Sequence, residues 1–244
     1  MDRGLLGAKV RVFSDPDELG IALAREILTT YEESGERFLL GCPCGRSLRS
    51  TYNALASVRA DLSRCTMAMM DEYVPTPPRT AHYSCHAFAE REIATPLGIP
   101  DERVWFPDPD DPSAFDERID AAGGIDVFLL GSGASDGHVA FLPPGSPLDG
   151  RTSVVRLAES TRRDNLNTFP EFASLDDVPK HGVSIGLGTI ARARRIRLVM
   201  HGAEKRSAAS RVRALGKFDP CWPASVVWEC NDAEIWLDRS AAGE

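Results

Sequence analysis

The segment IDVFLLGSGASDGH, residues 125–138, joins an apolar run to a glycine-rich turn that carries an acid and an imidazole. An almost uninterrupted apolar run is typical of a strand that is buried on both faces of a parallel sheet. The glycines allow the backbone to turn tightly and to approach a ligand. Asp136 can orient His138 or fix its tautomer, because it lies only two residues away. The segment therefore predicts a central strand that ends in a candidate catalytic turn, although a purely structural histidine is the competing interpretation.

Other apolar runs alternate with stretches of helical periodicity along the rest of the chain. The runs predicted as strands are VRVF (10–13), FLLG (38–41), TMAMMDEYV (66–74), SVVRL (153–157), GVSIGLG (182–188), IRLVMHG (196–202), VVWEC (226–230) and EIWLD (234–238). The predicted helices begin near residue 15, span about 47–57 and 84–95, and begin again near residue 204. Buried strands separated by helices indicate an α/β fold, a Rossmann-like and mostly parallel sheet with helices on both faces. We expect one domain over residues 1–244, since the sequence contains no repeat or long linker.

The net charge of −8 argues against nucleic acid as the main partner but leaves room for a small anionic metabolite. The first residues are too interrupted for a signal peptide, and no apolar run approaches the length of a membrane helix. We therefore expect a cytoplasmic protein with no membrane partner. Cys42-Pro43-Cys44 is a CxC motif without a second pair at zinc spacing, so no metal site is predicted.

Ligands of open parallel sheets bind beyond the carboxyl ends of the strands. One strand is followed by Cys44, Gly45, Arg46 and Ser47 at the start of a predicted helix, which suits a phosphate group. The alternative is an ordinary strand-to-helix turn that the serine caps. Lys205 follows another strand and is a second candidate phosphate ligand, with an ordinary surface lysine as the alternative.

Two adjacent acids follow the strand that contains TMAMM. A carboxylate at Asp71 or Glu72 would lose hydration there, which can raise its pKa and suit it to acid or base catalysis. A solvated strand end with surface acids is the alternative. Both acids are predicted to lie at the same edge of the sheet as the turn that carries His138.

Several blocks together resemble the superfamily of glucosamine-6-phosphate deaminases, galactosamine-6-phosphate isomerases and 6-phosphogluconolactonases, and they are most similar to the deaminase/isomerase branch. These blocks are GCPCGRSLRSTYNAL, MDEYV, LLGSGASDGHVAF, GVSIGLGTIARARRIRLVMHGAEK and PASVVW, and the similarity covers about residues 10–240. The resemblance implies a Rossmann-like fold and a sugar 6-phosphate ligand, with no metal or redox cofactor. It also leaves open a homo-oligomer.

The resemblance also implies roles for particular residues. Asp71 matches the aspartate that moves a proton between C2 and C1 of the open-chain sugar. His138 matches the histidine that assists ring opening, with Asp136 as its supporting acid. The loop 44–47 and Lys205 match phosphate-binding positions.

The sequence departs from the deaminase pattern at several of these blocks. Leu142 and Pro143 stand where the deaminases have Asn and the Glu of the ring-opening relay, and the turn before His138 is one residue longer. The phosphate loop has CGRS in place of TGGT, and Cys230 stands where a histidine often appears. The deaminase arginine is not evident near residues 167–169. The positive charge it would supply could come from one of three arginines: Arg46, Arg162 and Arg163.

Three functions follow from these observations. The first is a sugar-phosphate isomerase or deaminase that acts on a hexosamine or hexose 6-phosphate. The second is a 6-phosphogluconolactonase-like hydrolase, for which the missing glutamate is no anomaly, although lactonases tend to have Asp-Glu-Arg where this chain has Asp71-Glu72-Tyr73. The third is a sugar-phosphate-binding protein without catalysis.

Overall fold

A computed structural model of the protein describes residues 8–59 and 61–244. The first seven residues, part of the segment for which the sequence predicts no signal peptide, lie outside the described residues. The strands are β1 (Lys9–Phe13), β2 (Phe38–Cys42), β3 (Cys65–Met69), β4 (Asp71–Val74), β5 (Val104–Trp105), β6 (Val127–Gly131), β7 (Ser153–Arg156), β8 (His181–Ser184), β9 (Ile196–Met200) and β10 (Ala233–Asp238). The α-helices are α1 (Pro16–Glu33), α2 (Arg49–Ser57), α3 (Cys85–Ala89), α4 (Thr95–Leu97), α5 (Pro112–Ala121), α6 (Glu159–Thr168), α7 (Leu187–Ala191), α8 (Arg206–Leu215) and α9 (Arg239–Ala242). A π-helical segment, Glu90–Ala94, joins α3 to α4, and the 3-10 turns are Arg46–Leu48, Asp101–Arg103, Leu175–Asp177, Ala203–Lys205 and Pro223–Glu229.

The main sheet has seven strands in the order β1-β10-β9-β6-β2-β3-β5, and its strand pairs are parallel. A smaller antiparallel sheet has the order β4-β8-β7. The predicted α/β class with a mostly parallel sheet is confirmed. Helix α1 begins where the sequence predicts, because the Asp15 side chain accepts hydrogen bonds from the first free backbone N–H groups of the helix.

Helices cover both faces of the main sheet. This cover explains why the sequence of strand β6 is apolar throughout. Val127 and Leu129 point into a core that α1 and α2 complete, whereas Phe128 and Leu130 point into a core completed by α5, α7 and α8. Successive side chains of a strand face opposite sides, so a strand covered on both faces has no polar alternation. The predicted helices on both faces are confirmed.

The predicted strand 66–74 is two strands in different sheets. Strand β3 ends at Met69 in the main sheet, and β4 begins at Asp71 in the small sheet. Met70 links them: its N–H donates to the carbonyl of Cys42 at 3.3 Å, and its carbonyl accepts from the N–H of Ile185 at 2.8 Å. Asp71 therefore stands at the point where the chain leaves the carboxyl edge of the main sheet.

The predicted strand VVWEC was wrong, because residues 223–229 form a 3-10 helix. Pro223 starts this helix, and residues 223–227 are buried. The N–H of Ala224 donates to the carbonyl of Gly137 at 2.8 Å, which attaches the helix to the turn that carries His138. A short apolar run that is buried all round has no periodicity to separate a strand from a helix.

Helix α6 was not predicted. Of its ten residues only Thr161 is buried, so the apolar periodicity that marks a helix is missing. Helix α5 and the short strand β5 were not predicted either.

In the described ranges, no helix combines the length and the apolar character that crossing a membrane would require.

Candidate active site

Four neighbouring strands of the main sheet, β9, β6, β2 and β3, carry the four segments that the sequence places at strand ends. A cavity of about 440 Å³ opens at this edge. Its lining comes from the loops after these strands and from helix α6: Pro43, Arg46, Ser47, Met70, Gly131, Ser132, Gly133, Ala134, His138, Ala140, Asp164, Asn165, Asn167, Thr168, His201, Glu204 and Lys205. A cavity of this size is in the range of small-molecule sites.

Asp136 and His138 are paired. The Nδ1 atom of His138 lies 2.7 Å from Oδ1 of Asp136, which also accepts the backbone N–H of His138 at 3.0 Å. The Ser160 hydroxyl donates to the other carboxylate oxygen. Burial raises the pKa of Asp136, but these hydrogen bonds and the charge of His138 outweigh it and hold the pKa well below its usual range. An ionised Asp136 that engages Nδ1 leaves Nε2 of His138 to exchange a proton with a ligand.

Gly133 and Gly137 of this turn lie so close to neighbouring side chains that a Cβ atom would not fit. A Cβ atom on Gly133 would overlap the His138 ring and lie 2.5 Å from Oδ1 of Asp136. Gly137 has φ of +66°, and a Cβ atom there would overlap the indole of Trp222. Ala140, which lines the cavity, also has a positive φ of 50°. Strained backbone of this kind concentrates at functional sites.

Asp71 is not among the residues that line the cavity, but its chain neighbour Met70 is. The Asp71 residue is 5% exposed, and its Oδ1 atom accepts a hydrogen bond from Sγ of Cys85 at 3.3 Å. Burial raises the pKa of Asp71 to about 7, and the nearby charge of Glu72 adds to this effect, while the hydrogen bond from Cys85 opposes it. A carboxylate with this pKa can exchange protons near neutral pH.

Glu72 points away from the cavity and holds the start of helix α3. Its carboxylate accepts the Ser84 hydroxyl at 2.9 Å, the backbone N–H groups of Cys85 and His86 at 3.1 and 3.0 Å, and the N–H of Tyr73 at 2.8 Å. The Nδ1 atom of His86 lies 2.7 Å away. The structure thus gives Glu72 a different position from Asp71, although the two are adjacent.

The predicted phosphate loop reaches the cavity through Arg46 and Ser47, while Cys44 and Gly45 are not among its lining residues. Gly45 has φ of +108°, which lets the chain turn from Cys44 into the 3-10 turn 46–48. The expected helix cap was wrong, because Ser47 lies inside this turn and makes no capping hydrogen bond. A Cβ atom on Gly131 would lie 3.2 Å from Oγ of Ser47. The hydroxyl therefore faces the end of strand β6.

Lys205 reaches the same cavity from the loop after strand β9. Its Nζ atom donates to the carbonyl of Ser132 at 2.6 Å. Burial lowers its pKa, the acids Asp164 and Glu204 oppose this shift, and the charge of Arg46 adds to it. Two cations therefore share this part of the cavity, and a bound anion would relieve their mutual repulsion.

The two other arginines proposed from the sequence lie outside the cavity lining. Arg162 donates to the carbonyl of Val178 at 3.2 and 3.1 Å and to that of Leu175, so it holds the loop after α6. Arg163 is exposed and pairs with Glu159 one helical turn earlier. Of the three arginines that could replace the deaminase arginine, only Arg46 lines the cavity.

Helix α6 supplies the residues that sequence reasoning missed. Ser160, Asp164 and Thr168 lie four residues apart, and Asn165 and Asn167 beside them also line the cavity, so this side of the helix meets the site. His201 and Glu204 were also missed, although they follow strand β9 directly. The position of this loop at the same sheet edge was the signal that could have identified them.

The fold and this site define an α/β protein with a cavity at the carboxyl edge of its main sheet, lined by two cations and by the histidine of an Asp–His pair. The family model for glucosamine-6-phosphate isomerases and 6-phosphogluconolactonases matches residues 14–236. The chain belongs to this family.

Similar proteins include glucosamine-6-phosphate deaminases. The one from Shouchella clausii is 32% identical over 229 residues, which cover 90% of both chains. That from Bifidobacterium longum subsp. infantis is 37% identical over 222 residues, covering 84% of this chain and 80% of the relative. A solved monomeric glucosamine-6-phosphate deaminase has a TM-score of 0.88 and 28% identity, and the match covers 96% of this chain and 99% of that one.

Proposed function

We propose that this chain is a glucosamine-6-phosphate deaminase-like enzyme that isomerises a hexosamine 6-phosphate and releases ammonia. The observation that carries the proposal is Asp71, a buried carboxylate whose pKa is raised to about 7 and which follows the cavity-lining residue Met70 in the chain. A base of this kind is what proton abstraction next to a carbonyl requires near neutral pH. The named relatives, at 32–37% identity, support the same chemistry.

In the proposed reaction, Arg46 and Lys205 bind the phosphate and so fix the sugar in the cavity. His138 accepts the proton of the C1 hydroxyl and donates a proton to the ring oxygen, which opens the ring. Asp136 keeps Nδ1 of His138 engaged during this exchange. Holding the sugar in a fixed geometry lowers the entropy cost of bringing the reacting groups together.

Asp71 then removes the proton from C2 of the open-chain aldehyde and returns it to C1. O1 gains a proton as the carbonyl becomes a hydroxyl, the ammonium on C2 loses one, and the C=O double bond is replaced by a C=N bond at C2, so the nitrogen becomes an imine. Hydrolysis of the imine gives the ketose 6-phosphate and ammonia. No external oxidant is needed, because C1 is reduced as C2 is oxidised.

Tyr73 favours this reaction over lactone hydrolysis. It stands where lactonases tend to have arginine, and it is 1% exposed. Its ring centroid lies 5.0 Å from that of Phe141 and 5.8 Å from that of Tyr83. A guanidinium in this aromatic packing would be buried among apolar groups, which carries a large desolvation cost.

A 6-phosphogluconolactonase-like activity is the second candidate, and Pro143 is the observation that favours it. The residue offers no carboxylate, and it lies outside the cavity lining. In lactone hydrolysis His138 would activate water, and no glutamate would be required. The carboxylates that do line the cavity are Asp164 and Glu204.

The test is to incubate the protein with glucosamine 6-phosphate, galactosamine 6-phosphate and 6-phosphogluconolactone, and to assay ammonia, ketose phosphate and acid. We expect ammonia and ketose from an amino-sugar phosphate, and their loss in Asp71→Asn. Lactone hydrolysis that persists in Asp71→Asn and disappears in His138→Ala would support the second candidate. Thermal stabilisation by these sugar phosphates without turnover would indicate binding alone.

A further inference from the structure

Three side chains from separate elements bring potential metal ligands together behind the cavity. Cys44 comes from the loop after β2, Asp71 from the start of β4 and Cys85 from the start of α3. One ligand atom from each residue, two Sγ atoms and a carboxylate oxygen, lies within 4.8 Å of the other two. The Sγ atom of Cys85 is 3.3 Å from Oδ1 of Asp71.

These distances fit a tetrahedral centre. With Zn–S bonds of about 2.3 Å and Zn–O bonds of about 2.0–2.2 Å, neighbouring ligand atoms of a tetrahedron lie roughly 3.5–3.8 Å apart. The measured group needs only small side-chain adjustments to reach that spacing. Two thiolates with one carboxylate form a soft, anionic set that selects Zn²⁺ over Mg²⁺ or Ca²⁺.

The surroundings fit a neutral thiol pair that loses its protons only to a metal. Cys85 packs with the aromatic residues Tyr73 and Phe141, and Cys44 lies against the same cluster. Burial raises the pKa of Cys44, and the adjacent Cys44 together with burial raises that of Cys85. Binding would release two thiol protons to solvent, so affinity should increase with pH.

Cys44 is the most exposed member of the group. The Cys85 residue is 3% exposed, but Cys44 is partly exposed. Pro43 on one side of Cys44 and Arg46 on the other line the cavity. The fourth coordination position would be left to water, as in zinc sites with three protein ligands.

We propose that Cys44, Asp71 and Cys85 form an inhibitory binding site for a thiophilic divalent cation such as Zn²⁺. The bound cation would take the carboxylate that Asp71 uses as a base and would also fix the loop that carries Arg46. Binding does not depend on the proposed function, whereas inhibition rests on it. The CxC motif alone did not indicate this site, because Cys85 and Asp71 lie far from Cys44 in the sequence.

The experiment uses the full chain, freed of metal with a chelator and kept reduced with a phosphine. Co²⁺ is titrated without substrate, and the sulfur-to-cobalt charge-transfer absorption is followed, after which Zn²⁺ is added in competition. The variants are Cys44→Ser, Cys85→Ser and Asp71→Asn. The controls are Cys65→Ser, which changes a buried thiol on β3 outside the group, and Cys221→Ser, which changes an exposed thiol.

We expect one equivalent of cobalt with thiolate absorption, displacement by Zn²⁺, and both controls to behave like the wild type. Each site variant should weaken Zn²⁺ binding by at least ~10–100-fold, the loss caused even by removing an outer-shell partner of a metal site. Absence of thiolate absorption in the wild type, or binding in Cys85→Ser or Cys44→Ser as tight as in the wild type, would overturn the proposal.

Inhibition is measured separately, on whichever sugar phosphate the wild type turns over. One equivalent of Zn²⁺ should abolish turnover in the wild type and in Cys221→Ser, and a chelator should restore it. Binding with full activity would refute the inhibitory role alone. A protein that binds Zn²⁺ but turns over no sugar phosphate would refute the proposed function without refuting the metal site.

Discussion

The carboxylate of Asp136 and the imidazole of His138 lie 2.7 Å apart through Oδ1 and Nδ1, with Ser160 on the other carboxylate oxygen. Asp136→Asn replaces the ionised acceptor with an amide that can also donate, so the tautomer of His138 is no longer fixed. We expect turnover to fall ~10²–10⁴-fold, the usual contribution of a positioned acid or base. Steady-state assays of Asp136→Asn check this.

Ser160→Ala is the matched control for that variant, because it removes a hydrogen bond to Asp136 and keeps the contact with His138. Its activity should fall much less. Equal losses in the two variants would mean that the aspartate acts by supporting the fold rather than through the histidine.

The pH dependence of activity should follow Asp71. The carboxylate must be ionised to accept the C2 proton, and burial raises its pKa to about 7. We therefore expect kcat/KM to rise with pH up to about 7 and then to level. A profile that is already flat from pH 5 upward would contradict a basic role for this residue.

The free energy of unfolding should also depend on Asp71, but it should fall as pH rises. Because the folded pKa of Asp71, about 7, lies above the unfolded value, the native state binds more protons between about pH 4 and 7. The free energy of unfolding should fall across that window, by at most about 4 kcal/mol for a pKa that rises from about 4 to about 7 on folding. Urea unfolding of wild type and Asp71→Asn at pH 5 and pH 8 measures this, and the variant should gain relative to wild type at pH 8. An equal difference at both pH values would contradict the shift.

Gly133→Ala tests the close approach of the backbone to the catalytic pair. The added Cβ would overlap His138 and lie 2.5 Å from Asp136 Oδ1, so the pair must move. We expect a large loss of kcat. Gly216→Ala is the control: its φ of +63° strains an alanine, but a Cβ atom there meets nothing within 4 Å. Loss of stability in both variants with loss of kcat in Gly133→Ala alone is the expected pattern, and unchanged kcat in Gly133→Ala would contradict the geometry.

Removing the two cavity cations should weaken substrate binding. Arg46→Met and Lys205→Met each delete a charged donor, and a hydrogen bond to a charged group is worth about 1.5–3 kcal/mol, which corresponds to roughly 10–100-fold in KM. Arg163→Met is the matched control, since that arginine is exposed and pairs only with Glu159 among the described contacts. The readouts are KM and thermal stabilisation by inorganic phosphate. A loss in Arg163→Met equal to that in Arg46→Met would show that the charge acts at long range.

The sequence predicted the central strands of the main sheet because they are apolar along most of their length, as strand β6 is, but it missed the two-residue edge strand β5. The prediction failed at residues 66–74, where one extended segment crosses from the main sheet to the small sheet at Met70 and the acids that follow Met70 belong to the second strand. It failed again at 226–230, where a buried 3-10 helix has the composition of a strand.

The site was predictable where a residue follows a strand of the sheet, as Asp71, His138 and Lys205 do. Asp164 was not, because helix α6 is polar and has no apolar face to mark it. The sequence alone could not decide among Arg46, Arg162 and Arg163, because their distance from the cavity depends on how α6 and its following loop fold.

Exchange of the C2 hydrogen tests the central claim, proton abstraction by Asp71, most directly. Glucosamine 6-phosphate or its ketose product is incubated with the protein in deuterated water, and deuterium at C2 of the aldose and C1 of the ketose is followed by NMR. We predict enzyme-dependent incorporation with ammonia release in the wild type and neither in Asp71→Asn, while the variant keeps its thermal stabilisation by inorganic phosphate. Incorporation that persists in Asp71→Asn, or a wild type that releases no ammonia and hydrolyses 6-phosphogluconolactone instead, would contradict the account.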